Sequence, residues 1–407
     1  MKKSKLMLLP VLAASLLTGC GTGGGSSDEI TIKIWEDRSN KEMVEYLAKD
    51  FAAAYRRTYP DAPKISFEFT EQTEKSAIEK MASGIAESGE GPDIAAVTHD
   101  TIASGVGNKL IAPASYSDAV KARMTDDAVN AVTVDDVVYG YPITAESMTI
   151  MYDKTKVTEA ELASFDAIKA SGKKLVLQMT GDDGGYYTYG LYTDSVLFGE
   201  DGKDAKSVNI GTTKSVANVA KFYKEYSSCF EDASPETGAN YVKNGTNGIV
   251  GLISSPFILD TMKNQLGDNL GIAKLPTING EQQRPFSGYK AYVVSKYSKH
   301  GALAQEICNY ITSYDAMAYR LNEKGYLPAC DLDADEQIAE TIEEDAFAST
   351  FAASLADSVV MPNIPEMNNF WRPMNNASTG FHKDAASLTE AAVKTKLDEV
   401  TQTLLGK

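Results

Sequence analysis

The chain has 407 residues, with 39 lysine or arginine and 56 aspartate or glutamate residues, so its formal net charge is -17. This acidity argues against nucleic acid and anionic membrane surfaces as partners. With 43% hydrophobic residues, the composition predicts a globular protein, and the length favours two domains.

The first residues have the pattern of an export signal. Residues 1–20 read MKKSKLMLLPVLAASLLTGC, a basic start and an apolar run shorter than the roughly 20 residues of a membrane-spanning helix. We predict a signal peptide over 1–19 and a flexible Gly/Ser-rich tether over 20–28. The end of the signal, LTGC, resembles the lipobox of bacterial lipoproteins, which implies a lipid on Cys20 and a location on the extracellular face of the cell membrane. An ordinary cleaved signal with an incidental Cys20 is the alternative.

Predicted strands and helices alternate along the rest of the chain. Apolar residues recur every four positions at Met43, Leu47, Phe51 and Tyr55, which indicates a helix. Further helices are predicted over 74–87 and 212–227 and through most of 300–407. The predicted strands are 29–35, 64–70, 93–97, 148–152, 174–178, 248–253, 270–275 and 289–295. Strands separated by helices indicate an α/β fold with parallel sheets, and two lobes fit this pattern better than one long sheet.

Catalytic and metal-binding motifs are missing from the sequence. The three histidines stand alone, and neither a GxSxG nucleophile elbow nor a GxxxxGK phosphate loop occurs. The acidic run 331–335 begins like a calcium loop, but Glu336 stands where glycine is needed and Ile342 where glutamate is needed. We therefore predict no enzyme activity, no metal and no cofactor. Fifty-six acidic residues still leave a secreted glycosidase open, because glycosidases need only a pair of carboxylates.

The cysteines after Cys20 are Cys229, Cys308 and Cys330, and none has CxxC spacing. Three buried free thiols are expected, because an odd number cannot all pair. A disulfide between Cys308 and Cys330 remains an alternative at this point.

Three segments carry a family resemblance. They read GEGPDIAAVTHD at 89–100, GYPITAESMTIMY at 140–152 and MPNIPEMNNFW at 361–371. In this order and spacing they resemble the maltose- and maltodextrin-binding proteins, the extracellular sugar receptors of ATP-binding-cassette (ABC) importers. FSGYKAYVVSK at 286–296 and KGYLPA at 324–329 extend the resemblance over nearly the whole body of the chain.

The resemblance implies a two-lobed periplasmic-binding-protein-like fold of type II, with discontinuous lobes joined by hinge strands. One lobe would comprise 30–145 plus 290–340, and the other 146–289 plus 341–407. The implied partners are an oligosaccharide ligand and the membrane subunits of an ABC permease, and the protein would act as a monomer. Ligands of such sheets bind at the carboxyl ends of the strands.

A sugar site needs aromatic rings against the apolar faces of the pyranose and hydrogen-bonding groups around its edge. The resemblance implies three groups of residues for these roles. They are the stacking rings Tyr186, Phe257 and Trp371, the hydroxyl acceptors Glu36, Asp37, Asp100 and Glu146, and the donor Arg38.

Several of these residues have a second interpretation that the sequence leaves open. Trp371 fits a core position, Phe257 fits packing against the helix that follows it, Tyr187 could stack in place of Tyr186, Glu36 and Asp37 fit a solvated surface, and Glu146 fits a helix cap or a hinge.

The sequence also departs from the family pattern. Val97 and Thr101 stand where the maltose receptors carry tryptophan and arginine, and Asn375 stands for an arginine one helical turn after the Phe-Trp pair. Ser255 to Phe257 replaces Gly-Pro-Trp. The sequence therefore predicts an oligosaccharide ligand, and it favours maltose itself less. Malto-oligosaccharides are the first choice, and another neutral oligosaccharide is the alternative.

The segment MPNIP combines two prolines that fix the backbone and remove two hydrogen-bond donors. It predicts a stiff extended loop that leads into a helix, with Phe370 in the core and Trp371 at the cleft. The capture mechanism expected from two lobes is closure of one lobe over a sugar bound to the other.

Overall fold

The computed structural model describes residues 29–88 and 91–407. The predicted signal peptide, the tether and the lipidation of Cys20 lie outside the described residues. Within these ranges, no helix combines the length and apolar character needed to cross a membrane.

Strands and helices alternate as the sequence predicts. The strands are β1 (Glu29–Glu36), β2 (Lys64–Glu71), β3 (Ile94–Thr98), β4 (Thr133–Val134), β5 (Val137–Val138), β6 (Tyr141–Glu146), β7 (Thr149–Asp153), β8 (Lys174–Val176), β9 (Val196–Leu197), β10 (Val208–Asn209), β11 (Phe230–Glu231), β12 (Ile249–Ser254), β13 (Leu270–Ala273), β14 (Phe286–Val294), β15 (Leu327–Pro328) and β16 (Val359–Val360).

The α-helices cover the sheets and fill most of the C-terminal part. They are α1 (Lys41–Thr58), α2 (Ala77–Ser88), α3 (Ile102–Gly107), α4 (Ser117–Arg123), α5 (Asp126–Ala131), α6 (Glu159–Leu162), α7 (Phe165–Ser171), α8 (Gly184–Tyr187), α9 (Thr213–Lys221), α10 (Pro235–Asn244), α11 (Leu259–Leu266), α12 (Gly301–Ile311), α13 (Tyr314–Lys324), α14 (Glu336–Glu344), α15 (Ala346–Ala356), α16 (Trp371–Lys383) and α17 (Glu390–Leu404).

The larger sheet has the strand order β15-β6-β14-β3-β1-β2, with β16 paired to β14. β1 pairs in parallel with β2 and β3, as predicted, but β14 runs antiparallel to both β3 and β6. The prediction of purely parallel sheets is therefore wrong for the strands that enter from the other lobe. They arrive through connections without the helical crossover that places a strand parallel to its neighbour.

The smaller sheet has the order β11-β8-β12-β7-β13 and forms the centre of the second lobe. Only Ser147 and Met148 separate β6 in the larger sheet from β7 in the smaller one. β14 also links the lobes, because Phe286 packs in the core of the second lobe while Tyr289 and the residues after it pack in the first. The fold is thus a two-lobed α/β fold whose lobes are joined by crossing strands. The residue boundaries of the lobes stay a prediction.

The sequence pattern located eight of the sixteen strands in the described residues to within a few residues, namely β1, β2, β3, β7, β8, β12, β13 and β14. It did not reveal β6 or the seven strands that are only two residues long. All but the last residue of β6 are buried, so it lacks the alternation that marks a strand with one exposed face. It also contains Pro142, which is tolerated because the pairing with β14 shifts register beside it, between Lys290 and Ala291. The predicted helix 212–227 is α9 followed by a π-helical turn, Phe222–Tyr226.

Two other sequence expectations are decided by local structure. Cys229, Cys308 and Cys330 are free thiols, so the alternative of a Cys308–Cys330 disulfide is not realised. The acidic run that resembles a calcium loop begins a helix instead: the Asp335 carboxylate caps α14 by accepting hydrogen bonds from the backbone N–H groups of Gln337 at 3.0 Å and Ile338 at 3.1 Å. No cluster of His, Cys, Asp or Glu suited to a metal ion occurs in the part of the chain that the structure describes.

Candidate functional site

The ends of several strands meet at one edge of the larger sheet, facing the second lobe. β1 ends at Glu36, and β3 ends at Thr98 just before His99 and Asp100. Because β14 runs antiparallel, its early residues lie at this same edge, with Lys290 opposite Thr98 and Gly288 opposite Glu146. The candidate acceptors of the first lobe are therefore brought to one place from distant parts of the sequence.

Glu36 lies beneath this edge and not at its surface. Only 2% of the residue is exposed, and its carboxylate accepts hydrogen bonds from the Tyr292 hydroxyl at 2.8 Å and from the Asp37 backbone N–H at 3.0 Å. Arg320 in turn donates to the Tyr292 hydroxyl at 3.1 Å. The adjoining cavity of about 20 Å³ has room for roughly one water molecule. The alternative of a solvated carboxylate is therefore wrong, whereas the role of Glu36 as an acceptor for a ligand hydroxyl stays a prediction.

Burial raises the pKa of Glu36 from 4.5 to about 7, and the nearby charge of Glu74 adds to the effect. A carboxyl group with a raised pKa binds its proton more tightly in the folded protein than in the unfolded chain. Its contribution to the free energy of unfolding is therefore present in full below about pH 4.5 and is lost as the pH rises to about 7.

We expect the free energy of unfolding of Glu36→Gln to depend less on pH than that of the wild type. Between pH 4.5 and 7 the two should diverge by at most roughly 3 kcal/mol, because one pKa unit corresponds to about 1.4 kcal/mol. Urea denaturation at a series of pH values measures this difference. Parallel curves for the two proteins would show that Glu36 does not change its protonation in this range.

Lys290 holds two further carboxylates at the edge. Its ammonium group lies 3.2 Å from the Glu74 carboxylate, and the side chains of this pair are only 18% and 10% exposed. Burial alone lowers the pKa of Lys290, but the charges of Glu146 and Glu74 more than offset this and bring the pKa above its ordinary value. Burial likewise raises the pKa of Glu146, and Lys290 opposes that rise. Glu146 sits at the end of β6 two residues before β7, so the hinge interpretation of this residue agrees with its place in the fold.

Asp100 and its neighbour His99 differ sharply in their surroundings. His99 is fully buried, and its Nδ1 accepts a hydrogen bond from the Tyr289 N–H at 3.1 Å. Its Nε2 therefore carries the proton and donates to the Met361 carbonyl at 2.8 Å. Asp100 is half-buried, and its Oδ1 has no hydrogen-bond partner among residues 29–88 and 91–407. A buried acceptor without a donor is costly, so this oxygen suits a hydroxyl supplied by a ligand.

The second lobe contributes a group of aromatic rings. Tyr186 and Trp371 are half-buried, and their ring centroids are 6.5 Å apart. Phe286 lies 6.3 Å from each of them and is buried behind them. Burial raises the pKa of Tyr186 well above 10, and the charges of Glu146, Tyr187 and Asp100 add to this.

The choice between the two neighbouring tyrosines is resolved by packing. Tyr187 is only 8% exposed and its ring meets that of Tyr186 edge-on at 5.2 Å, in the core of the second lobe. Tyr186 is therefore the tyrosine that lies beside Trp371. Trp371 is half-buried and packs against the core of the second lobe, whereas Phe370 is fully buried.

The other predicted site residues lie just after the ends of β1 and β12. Phe257 follows β12 in a short 3₁₀-helix that leads directly into α11, and it is 43% exposed. The Asp37 carboxylate accepts hydrogen bonds from the Ser39 N–H at 2.9 Å and the Ser39 hydroxyl at 2.6 Å, which shapes the turn after β1. Arg38 is exposed in the same turn.

The MPNIP segment forms a strap between the lobes. Besides the bond from His99 to the carbonyl of Met361, the Met361 N–H donates to the Ser287 carbonyl at 3.0 Å. The side chain of Asn363 accepts from the Ala103 N–H at 3.1 Å and donates to the Ala131 carbonyl at 2.8 Å. The strap is thus anchored on the first lobe before the chain enters α16 in the second, which agrees with the predicted extended loop.

Polar side chains of the described residues pair across the predicted boundary between the lobes. Lys75 lies 3.4 Å from Asp183, Lys324 lies 2.9 Å from Asp260, and the Lys203 ammonium donates to Asn130 at 3.4 Å. A cavity of about 570 Å³ lies between α5, residues 194–203 and the strap, and none of the predicted site residues lines it. The lobes are therefore close together in this structure.

Sequence reasoning missed several residues of the site. Lys290 interrupts an apolar strand pattern in FSGYKAYVVSK, and a charged residue at such a position was a usable signal. Glu74, Tyr292 and Arg320 had no comparable signal, because their roles depend on contacts with segments far away in the chain.

Two α/β lobes joined by crossing strands, with polar and aromatic side chains facing each other between them, define a receptor for a solute. A family model described as bacterial extracellular solute-binding protein matches residues 47–347. The chain belongs to this family, which confirms the resemblance found in the sequence. It also confirms that the chain is a binding protein and not an enzyme.

Relatives and solved structures agree with this assignment. A galactooligosaccharide-binding protein from Bacillus subtilis (strain 168) is 29% identical over 100% of this chain and 97% of its own length. A maltooligosaccharide ABC transporter solute-binding lipoprotein from Streptococcus pneumoniae (strain ATCC BAA-255 / R6) is 23% identical over 97% of this chain and 96% of its own length. The structure of the maltodextrin-binding protein MalE1 from L. casei BL23 without ligand superimposes with a TM-score of 0.76 at 21% identity, covering 93% of this chain and 99% of that one, and supports the fold.

Proposed function

We propose that this protein is the extracellular substrate-binding component of an ABC importer for oligosaccharides, with malto-oligosaccharides as the first choice of ligand. One observation carries the proposal. β14 connects the unpaired carboxylate oxygen of Asp100 with the half-buried rings of Tyr186 and Trp371: Phe286 lies 6.3 Å from both rings, and Lys290 of the same strand pairs with Thr98, two residues before Asp100. These are the two kinds of group that a pyranose needs, at its edge and at its faces.

Each residue has a distinct proposed role. Trp371 and Tyr186 form the stacking surface, and Phe257 extends it at the rim. Asp100 and Glu146 accept hydrogen bonds from sugar hydroxyls. Asp37 and Arg38 lie in the turn after β1 and contact a ligand that is long enough to reach this turn. Glu36 supports the site from beneath, because its carboxylate already accepts a hydrogen bond from the Tyr292 hydroxyl.

Capture would proceed by closure of the lobes. A sugar bound to the rings of the second lobe would supply hydroxyls to Asp100 and Glu146 and would stabilise the closed form. The motion would occur in the crossing segments, where β6 passes into β7 and where β14 and the strap connect the lobes. The closed form would then dock on the membrane subunits of the permease, while a lipid on Cys20 would keep the receptor at the extracellular face of the membrane.

A sugar panel tests the proposed function. Maltose, maltotriose and longer malto-oligosaccharides should raise the thermal midpoint of the wild type, because a ligand that binds only the folded state stabilises it by mass action. Calorimetry then measures the affinity, and small-angle X-ray scattering should give a smaller radius of gyration with the tightest ligand. An oligosaccharide panel without any thermal shift would refute the proposal, and an unchanged scattering profile would refute closure.

Galacto-oligosaccharides are the second candidate ligand. Val97, Thr101 and Asn375 remove one ring and two cationic donors that the resemblance would lead one to expect for maltose, and the B. subtilis relative is a galactooligosaccharide-binding protein. The same panel separates the two candidates, because β-linked galacto-oligosaccharides present a different pattern of equatorial and axial hydroxyls to Asp100 and Glu146. Stabilisation by the galacto-series alone would replace the first choice.

A further inference from the structure

Asn375 joins the two segments that carry the aromatic rings. It lies on α16, one helical turn after Trp371. Its side-chain oxygen accepts a hydrogen bond from the Gly185 N–H at 2.8 Å, and its side-chain nitrogen donates to the Asp182 carbonyl. Both partners belong to the short segment that immediately precedes Tyr186.

The backbone approaches α16 so closely here that a side chain would not fit. A Cβ atom on Gly185 would lie 2.8 Å from Asn375 Oδ1 and 2.8 Å from the Cβ of Met374. A Cβ atom on Gly184 would lie 2.6 Å from the Met179 carbonyl oxygen. The paired glycines in GDDGGYY therefore serve close packing of this segment on the helix.

A second contact one turn further along α16 fixes the same segment. Ser378 is fully buried and donates to the Met179 carbonyl at 2.6 Å, and the Tyr223 hydroxyl lies 2.6 Å from the Ser378 oxygen. The Thr188 hydroxyl, which follows Tyr186, donates to the Gly184 carbonyl at 2.7 Å. The segment is therefore held on both sides of Tyr186, with Asn375 nearest to the cleft.

We propose that Asn375 is a positioning residue that fixes the Tyr186 ring relative to the Trp371 ring and so determines which oligosaccharides the cleft accepts. This inference rests on the proposed function for its consequence in binding. Asn375 does not act as a lost ligand donor, because its oxygen and its nitrogen are each engaged by the backbone before Tyr186. The 6.5 Å separation of the two rings is set by this contact. The cleft consequently selects its ligand through the relative positions of the two rings. Asn375 sets these positions, and it stands where the family resemblance leads one to expect an arginine.

The experiment uses tryptophan fluorescence, because the chain has only two tryptophans. In a Trp35→Phe background, Trp371 is the single reporter. Asn375→Ala and Gly185→Ala should both change the Trp371 emission maximum and its quenching by acrylamide in the absence of sugar. Asn376→Ala, at the exposed neighbouring position, is the matched control and should leave both unchanged.

Affinity is the second readout, measured by calorimetry with the tightest ligand of the sugar panel. Asn375→Ala should weaken binding about tenfold or more. Asn375→Asp keeps the acceptor for Gly185 but places a carboxylate oxygen against the Asp182 carbonyl in place of the donor, so it should weaken binding as well. Asn375→Arg should also weaken binding, since a longer side chain displaces the segment that carries Tyr186. Asn375→Asp serves as the test variant should Asn375→Ala fail to fold.

The outcomes separate this inference from the proposed function. Unchanged Trp371 emission and quenching in Asn375→Ala and Asn375→Asp would overturn the positioning role, whatever the ligand. A gain of affinity in Asn375→Arg would overturn it too, because Asn375 would then be a missing donor. If the wild type binds no oligosaccharide, the proposed function fails, and the fluorescence readouts still decide whether Asn375 positions the rings.

Discussion

Trp371→Ala should weaken oligosaccharide binding about 30-fold, equivalent to about 2 kcal/mol, which is the scale of a central aromatic contact. Trp371 is half-buried, and its ring meets those of Tyr186 and Phe286. Its removal takes away the largest apolar surface that the cleft offers to a sugar face. Isothermal calorimetry with the best ligand of the sugar panel measures the loss.

Trp371→Phe is the matched variant, because it keeps a flat ring of smaller area at the same place. Its affinity should fall between those of the wild type and Trp371→Ala. Thermal denaturation without ligand checks that the alanine variant is folded, since Trp371 also packs on Phe370 at 5.2 Å. Equal affinities for wild type and Trp371→Ala would remove Trp371 from the site and would leave the rim residues as the remaining candidates.

Arg320→Leu should cost about 3–5 kcal/mol of the free energy of unfolding, the range for one partner removed from a buried charged network. Arg320 is 2% exposed and donates to the Ile311 carbonyl at 2.5 Å and to the Tyr292 hydroxyl at 3.1 Å. Loss of the guanidinium removes both hydrogen bonds, and it raises the pKa of Glu36 further because the charge of Arg320 lowers that pKa. Urea denaturation at neutral pH measures the loss.

The double variant Arg320→Leu/Glu36→Gln tests the cause. The second substitution should recover part of the stability, because it removes the acid whose burial beside Glu74 is no longer opposed by the charge of Arg320. Arg57→Leu is a control at an exposed position on α1 and should stay within about 0.5 kcal/mol of the wild type. A loss below about 1 kcal/mol for Arg320→Leu would show that the network is not electrostatically stabilising.

These two predictions concern different levels of the molecule. Trp371 is a proposed ligand contact, whereas Arg320 donates to Tyr292, which in turn holds Glu36 at the end of β1. A variant that lowers stability without changing affinity, or the reverse, would show that the buried group of Glu36, Tyr292 and Arg320 acts independently of the ligand-binding surface. The comparison of Glu36→Gln with the wild type across pH then shows whether Glu36 in this buried group changes its protonation.

The amino-acid sequence by itself determined the elements and the family. Alternation over 29–35 and the four-residue repeat from Met43 to Tyr55 predicted β1 and α1, because burial of one face leaves a local periodic pattern. The Gly-Pro, Pro-Ile and Phe-Trp motifs carried the family resemblance, and the two prolines of the strap predicted an extended loop. Each of these inferences depends on neighbours within a few residues.

Only the tertiary structure decided which side chains are free to meet a ligand. Glu36 is committed to Tyr292, 256 residues away, and Asn375 is committed to Gly185, 190 residues away. Tyr186 and Tyr187 are adjacent and chemically identical, so only the packing of α8 on α16 places one ring beside Trp371 and the other in the core. Contacts between residues so distant in the chain leave no local pattern, because they arise only when the two segments fold against each other.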